Sequence, residues 1–392
     1  MIKVGVIFGG ETVEHEVSII SAVQAMNKLN NEKYDIVPIY ISKDNEWYTG
    51  SALREIETFK DMELLKRYTK NVILYKKDGR FVLQSKGMFK KIVNEIDFVL
   101  PVVHGTNVED GALQGYLRTI GVPFAGSDVL ASAVAQDKVI QKQVFESEKL
   151  PVVDYIWFYD NEYKEDNDEV IKKIEEKISY PMVVKPATLG SSVGITVAKN
   201  KKELITSIET AIEYDNKIVV EEKVENLTEV NISILGNYET QQLSEIEEVI
   251  TDNLLLTYED KYINGGKKTG KSSGMASASR RIPADISDKL KSEVENIATV
   301  AYKAVGLSGV VRIDFLIDKK SKKVYINEIN PCPGSLAFYL WEKTNKSFTT
   351  LLDDMINVGV KEYKRRTSKT HSFNTNILSG FSGLKGCKGK LK

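Results

Sequence analysis

The chain is poor in cysteine, with two residues, Cys332 and Cys387, among 392. That excludes a disulfide framework and a cysteine-rich zinc site. Histidine is almost as scarce: the three residues His15, His104 and His371 are too far apart in sequence to read as a metal cluster. Charge of one sign is also missing. The formal net charge is −1, which gives no general footprint for nucleic acid. No run approaches the roughly 18 apolar residues that a membrane helix needs. The start, MIKVGVIFGG, lacks the longer apolar region and small-residue cleavage site of a signal peptide. A cytoplasmic protein with no membrane contact is the expectation.

What is present is ordinary for a globular protein, 42% hydrophobic and 28% charged, and long enough for two or three domains. Lys3–Phe8 is a compact apolar run ended by Gly9-Gly10. Val17, Ile19, Ile20, Val23, Met26 and Leu29 then recur at helical spacing. Tyr34–Ile41 reads as a strand, Val72–Gln84 as hairpin material and Ile96–Val103 as a buried strand. This rhythm predicts an open, mostly parallel α/β sheet, with ligands at the carboxyl ends of its strands. A second unit begins near Asp137 and holds strands at Pro181–Lys185 and Lys217–Glu222. A third begins near Val230, with a helix over Asp285–Val305, strands at Val310–Ile317 and Val324–Asn330, and a last helix over Thr349–Gly359. The expected division is 1–137, 138–229, 230–360 and a tail, 361–392. From Lys361 onward the chain carries nine Lys/Arg against one acid, which reads as a partly disordered, solvated terminus.

Gly265–Ser272, GGKKTGKS, matches a P-loop literally. A P-loop needs a buried strand before it and a helix after it. The flanks TYEDKYIN and SGMASASRRIP supply neither, so a glycine-rich lid over 264–279 is the better reading.

Five other segments carry chemistry. Gly9–Ser18 leads from a strand into a helix, and Glu14 at that entry suits a substrate ammonium; acids there also simply complement a helix dipole. His104–Gly111, with Gln114-Gly115, is a polar turn after a buried strand and is expected to support a site from behind. Lys185 closes an apolar strand before the loop Gly190–Gly194, whose Ser191 and Ser192 suit phosphates; Lys138 offers a second cation. Glu221 and Glu222 end another apolar strand, with Glu229 seven residues on, as at the edge of an adenine–ribose pocket. Finally, Arg312 and Asp314 share one face of a strand, and Glu328 and Asn330 share one face of the next. Asp314, Glu328 and Asn330 are then oxygen ligands for Mg²⁺, with Arg312 beside them to stabilise a transferring phosphoryl group. The same pattern also fits a half-exposed hairpin with polar outer residues.

As an ordered set, GGETVEHEVS, HGTNVEDGALQG, GSDVLASAVAQDK, VVKPATLGSSVG, VVEEKVENLTEV, YEDKY, VRIDF and EINPCPG resemble the D-alanine–D-alanine ligases of the ATP-grasp superfamily over about residues 1–360. The resemblance implies an ATP-grasp fold behind an N-terminal α/β domain. It implies ATP-dependent joining of a carboxylate to an amine through an acyl phosphate, for peptidoglycan precursors. By resemblance, Glu14, Ser191 and Tyr262 form a hydrogen-bonded triad at the first amino acid. Lys138, Lys185 and Lys261 contact ATP phosphates, with Ser191 and Ser192 in the phosphate loop, and Glu222 and Glu229 bind adenine and ribose. Arg312 and the Gly334 backbone face the acyl phosphate. Asp314, Glu328 and Asn330 hold two Mg²⁺ ions, or Mn²⁺. A homodimer using D-alanine and ATP is implied, with no nucleic acid partner. Two departures stand out: Pro331 follows Glu-x-Asn where threonine is common, and Tyr339 replaces a serine that helps hold the second substrate. They leave open an acceptor such as D-serine or D-lactate.

Overall fold

The computed structural model describes residues 1–250 and 280–373. The expected lid, the P-loop look-alike, Lys261, Tyr262, Cys387 and the tail from 374 lie outside the described residues.

The first sheet has seven strands. Ile2–Gly9 lies one strand in from an edge, between two parallel neighbours, Tyr34–Ile41 and the edge strand Phe98–Pro101. The remainder corrects the expectation of a mostly parallel sheet. Trp47–Thr49, Lys70–Lys77, Arg80–Ser85 and Ile92–Ile96 add on antiparallel, one after another. One connection, 50–69, returns antiparallel through helical turns. For the other three of the four the cause is loop length: residues 42–46, 78–79 and 86–91 are too few for the crossover of about a dozen residues that a parallel return needs. Asp78 (φ 48°) and Gly79 (φ 79°) make one such tight turn.

Side chains alternate across Ile2–Gly9. Val4, Val6 and Phe8 meet Ile19, Ala22 and Met26 of the helix His15–Lys28 on one face. Ile7 faces the other way, into a core with Ile39, Val99 and Leu117 of the helix Ala112–Ile120. The second unit is a four-stranded antiparallel sheet that includes Met182–Pro186 and Lys217–Glu222. Helices Asn167–Lys177 and Lys201–Ile212 bury Ile171, Ile174, Leu204 and Ile208 against it.

The third unit is a six-stranded sheet whose centre pairs Leu227–Gly236 with Gly309–Asp318, and Gly309–Asp318 with Val324–Asn330, all antiparallel. Helix Asp288–Val305 covers one face. On the other face Leu235, Val310 and Trp341 join Leu351, Leu352 and Met355 of the helix Phe348–Thr367 in the same apolar cluster as Val4, Val6 and Phe8. This shared core docks the third unit on the first. Trp341 is fully buried and donates its indole N–H to Ser233 Oγ (3.1 Å). Truncating a buried side chain of that size costs about 3–5 kcal/mol, so the docking is not easily undone.

The last helix corrects the expected tail boundary. Ser347 caps it through Thr350 N (3.1 Å), and it runs to Thr367 rather than stopping near Gly359. Lys364, Arg365 and Arg366 occupy its final turn, where cations complement the free carbonyls. Their charge reads as solvated tail in sequence and as a helix end in space. Among the described residues no helix is long and apolar enough to cross a membrane.

Candidate active site

Where the first strand turns into the first helix, two glycines are obligatory. Gly9 has φ 91°, and a Cβ on it would stand 2.1 Å from the Ile41 carbonyl. The turn ends at Glu14, which precedes the helix and is 8% exposed. Ser191 of the second unit donates its hydroxyl to Glu14 Oε1. The contact is possible because Gly190 brings bare backbone against the carboxylate: a Cβ there would lie 2.4 Å from Glu14 Oε2. Gly105 presses on the same oxygen from the other side, at 3.0 Å by the same measure.

Behind Glu14 stands a layer of buried polar groups. Burial, and then the neighbouring Glu14 charge, push the Glu109 carboxyl up to about 8. It accepts from Gly105 N (2.7 Å) and from Cys332 N (2.9 Å), so it ties the first unit to the 331–334 segment of the third. His104 makes a second tie. A carbonyl only accepts, so Nδ1 carries the proton and donates to Cys332 O (2.7 Å); Nε2 then accepts from Ser21 (3.0 Å). Burial lowers the imidazole pKa to about 4, which keeps the ring neutral and this tautomer in place near neutral pH. Ser21 Oγ in turn accepts from Ser335 N (2.9 Å). The His104 turn thus acts from behind the site, as its sequence suggested.

The two strands expected to share a face are paired antiparallel, with Arg312 opposite Asn330 and Asp314 opposite Glu328. Arg312 grips Asp314 with two bonds, Nε to Oδ1 at 2.6 Å and Nη2 to Oδ2 at 2.7 Å. Asn330 Nδ2 also donates to Asp314 Oδ2 (3.1 Å). The facing donors are therefore two carboxylates and an amide, an all-oxygen set that suits Mg²⁺ and not zinc. Among the described residues no three His, Cys, Asp or Glu side chains cluster as a ready metal cage. A cation held here would take its remaining oxygens from its ligand or from water and would share Asp314 with Arg312.

Two cavities meet at this pair of strands. The smaller, about 60 Å³, is lined by Glu14, Lys138, Ser191, Arg312, Glu328, Asn330 and Gly334, with His104 and Glu109 behind. The larger, about 410 Å³, lies between the second and third units. Lys185, Ser192, Glu222, Glu229, Asn327 and Glu328 give it polar groups; Val183, Ile195, Leu227 and Leu316 give it apolar walls. Glu328 lines both. Lys138 reaches Leu189 O at 2.6 Å and Glu328 Oε2 at 3.6 Å. Of the fourteen residues expected at the site, the twelve that are described line one of the two cavities or belong to the Arg312–Asp314 pair; Lys261 and Tyr262 lie outside the described residues.

Sequence reasoning passed over Lys142. Lys185 Nζ lies 2.6 Å from Glu221 Oε2, and Glu221 Oε1 lies 3.1 Å from the fully buried Lys142. Burial opposes the charge on Glu221, yet the two ammonium groups outweigh it and hold the carboxyl down to about 2. The signal available was Lys142 within an otherwise amphipathic helix, and it identifies no partner. Tyr339 departs from its expected place. It is buried, donates to Glu247 Oε1 (3.3 Å) and lies under the Arg280 guanidinium, 3.9 Å from the ring centroid. It is not among the residues lining the small cavity.

Comparison with known proteins gives a consistent answer. The family described as D-ala D-ala ligase N-terminus matches residues 3–127, and that described as D-ala D-ala ligase C-terminus matches 144–357. A D-alanine–D-alanine ligase of Thermosipho melanesiensis is 38% identical over 379 residues, 96% of this chain and 98% of that protein. One of Clostridium acetobutylicum is 38% identical over 362 residues, 91% and 97% of the two chains. Among solved structures, the D-alanine–D-alanine ligase from Coxiella burnetii superposes with TM-score 0.78 at 27% identity, covering 94% of this chain and 96% of that one. The VanG D-Ala:D-Ser ligase from Enterococcus faecalis gives 0.75 at 29%, covering 91% and 99%.

Proposed function

The chain belongs to the D-alanine–D-alanine ligase family of ATP-dependent ligases, and from that premise we propose that it joins two D-alanine molecules for peptidoglycan precursors in the two cavities described. The observation that carries the reading is the meeting of an amino-acid-sized cavity with a nucleotide-sized one at Glu328.

ATP lies in the larger cavity, its adenosine toward Glu222 and Glu229 and its phosphates toward Lys185, Lys138 and Ser192. The first D-alanine lies in the smaller cavity, its ammonium on Glu14. Its carboxylate takes the γ-phosphoryl group, giving an acyl phosphate and ADP. The amine of the second D-alanine attacks the acyl carbon; the C–N bond forms, the C–O bond to phosphate breaks, and inorganic phosphate leaves. Arg312 and the Gly334 N–H face the oxygens on which charge grows. Little of this is covalent work for the protein; positioning and electrostatics carry it. Asp314, Glu328 and Asn330 would hold Mg²⁺, two ions by the resemblance or Mn²⁺ in its place, and the metal would supply neutralisation of phosphate charge. By the resemblance, Lys261 would add a phosphate contact and Tyr262 would be the third member of the triad. A homodimer in the cytoplasm, where ATP is supplied, belongs to the same proposal.

Gly190→Ala tests the amino-acid side. The added methyl displaces the Glu14 carboxylate, and a charge-assisted hydrogen bond is worth about 1.5–3 kcal/mol. The KM for D-alanine should rise about 10–100-fold, while the KM for ATP stays within about twofold of its original value. An unchanged D-alanine KM would remove Glu14 from the ammonium role.

The second reading, a different acceptor, is favoured by Pro331, which lines the smaller cavity, and by the likeness to a D-Ala:D-Ser ligase. Incubation with ATP, Mg²⁺, D-alanine and a panel of D-serine, D-lactate and other amino acids decides between them. Strong D-alanyl-D-alanine formation from D-alanine alone is expected. A mixed product with little homodipeptide would transfer the assignment to the second reading.

A further inference from the structure

Lys142 is fully buried, reaches neither cavity, and has no part in the reaction as written above. A buried lysine is costly without a partner. Its partner is Glu221, and Glu221 is also the partner of Lys185, one carboxylate between two ammonium groups. Lys142 Nζ further lies 5.5 Å from the Tyr155 ring centroid, which adds to its hold.

The arithmetic of charge decides what this arrangement does. Lys185 with Glu221 alone is a neutral pair, and a neutral pair attracts a phosphate weakly. With Lys142 included the group carries one net positive charge. Lys142 is walled in by protein, so Lys185 is the member that presents this charge to the larger cavity. We propose that Lys142 is a positioning residue that occupies one oxygen of Glu221 and so leaves Lys185 an effective cation for the nucleotide's phosphates. The proposal rests on the reading that ATP phosphates lie at Lys185. Opposite charges in a site of low polarity interact strongly, so a buried counter-ion is felt by the cavity although it never touches the ligand.

The test is calorimetric binding of ATP with Mg²⁺, without D-alanine, to the full-length protein. Lys142→Met is expected to weaken ATP about tenfold and to leave adenosine, which has no phosphates, bound as before. In steady state the KM for ATP rises and the KM for D-alanine does not. The double variant Lys142→Met with Glu221→Gln removes both opposite charges and returns ATP affinity to within about threefold of the original. Glutamine still accepts a bond from Lys185, and Asn327 Oδ1 accepts another (3.3 Å), so the one buried ammonium left in the double variant keeps hydrogen-bond partners and the variant folds even if the single one is poorly stable. An unchanged ATP affinity in Lys142→Met, or a double variant as weak as the single, would overturn the proposal and leave Lys142 a packing residue. Lys185→Met is the control for the underlying reading. If it leaves ATP binding intact, the placement of phosphates at Lys185 is wrong, whatever the Lys142 variants do.

Discussion

Replacing Glu328 with glutamine is expected to reduce ATP turnover by about a thousandfold while leaving the fold in place. Glu328 is the side chain common to the amino-acid cavity and the nucleotide cavity, and it stands opposite Asp314 in the strand register. Its carboxylate serves there as an oxygen donor beside the phosphates, and glutamine keeps the shape while removing the charge. Its ion-pair partner Lys138 is buried, 7% exposed, but also donates to Leu189 O (2.6 Å), so the ammonium keeps a hydrogen bond when the carboxylate becomes an amide. The unfolding midpoint should therefore stay within about 2 °C of the original. D-alanine-dependent phosphate release and a thermal melt on the same preparation measure both quantities. Turnover within tenfold of the original would remove Glu328 from the chemistry and with it the proposed meeting point of the two substrates.

Arg312→Ala should behave differently, because it damages the protein twice. Arg312 and Asp314 form a buried bidentate pair, 7% and 2% exposed. Removing one partner leaves the other's charge uncompensated, a loss of about 3–5 kcal/mol. The midpoint should fall by about 10 °C, and dipeptide formation should disappear. The pair variant Arg312→Met with Asp314→Asn separates the two effects. With both charges gone the stability should return, since neutral side chains replace a buried ion pair at little cost. Activity should not return, because neither the guanidinium nor the carboxylate remains at the reacting oxygens. Recovered turnover in that variant would show that Arg312 serves only to neutralise Asp314.

Several elements were plain in the sequence because their causes are local. Tyr34–Ile41, Lys217–Glu222 and Val324–Asn330 are strands at the expected residues, since a short apolar run between polar turns has few other choices. The helix His15–Lys28 follows from its apolar spacing. The GGKKTGKS match was set aside because a phosphate loop needs a strand before it. Expectations failed where the cause was not local. The first sheet is mixed because three of the four connections after Ile41 are too short for a parallel crossover, and strand hydropathy carries no direction. The basic run after Lys361 begins inside a helix, because Glu362 is held by Asn237 at 2.8 Å and residues Leu351, Leu352 and Met355 before it are buried in the first unit's core. Tyr339 stands near the expected substrate segment in sequence, but its ring is drawn into the third unit by Glu247 and Arg280.

Residue types at fixed spacing were enough to mark Glu14, Ser191, Arg312, Asp314, Glu328 and Asn330, because each chemistry needs a particular group at a strand end or a turn. The same residues lie 177 positions apart for Glu14 and Ser191, and spacing cannot say that they touch. Tertiary structure decided that, through two glycines that let backbone approach a carboxylate. It also decided the charge state of the site. Glu109 near 8, Glu221 near 2 and His104 near 4 start from ordinary side chains and are moved by burial and by neighbours brought from other units. A sequence determines which groups are available; only packing sets the dielectric and the partners that decide what charge each one carries.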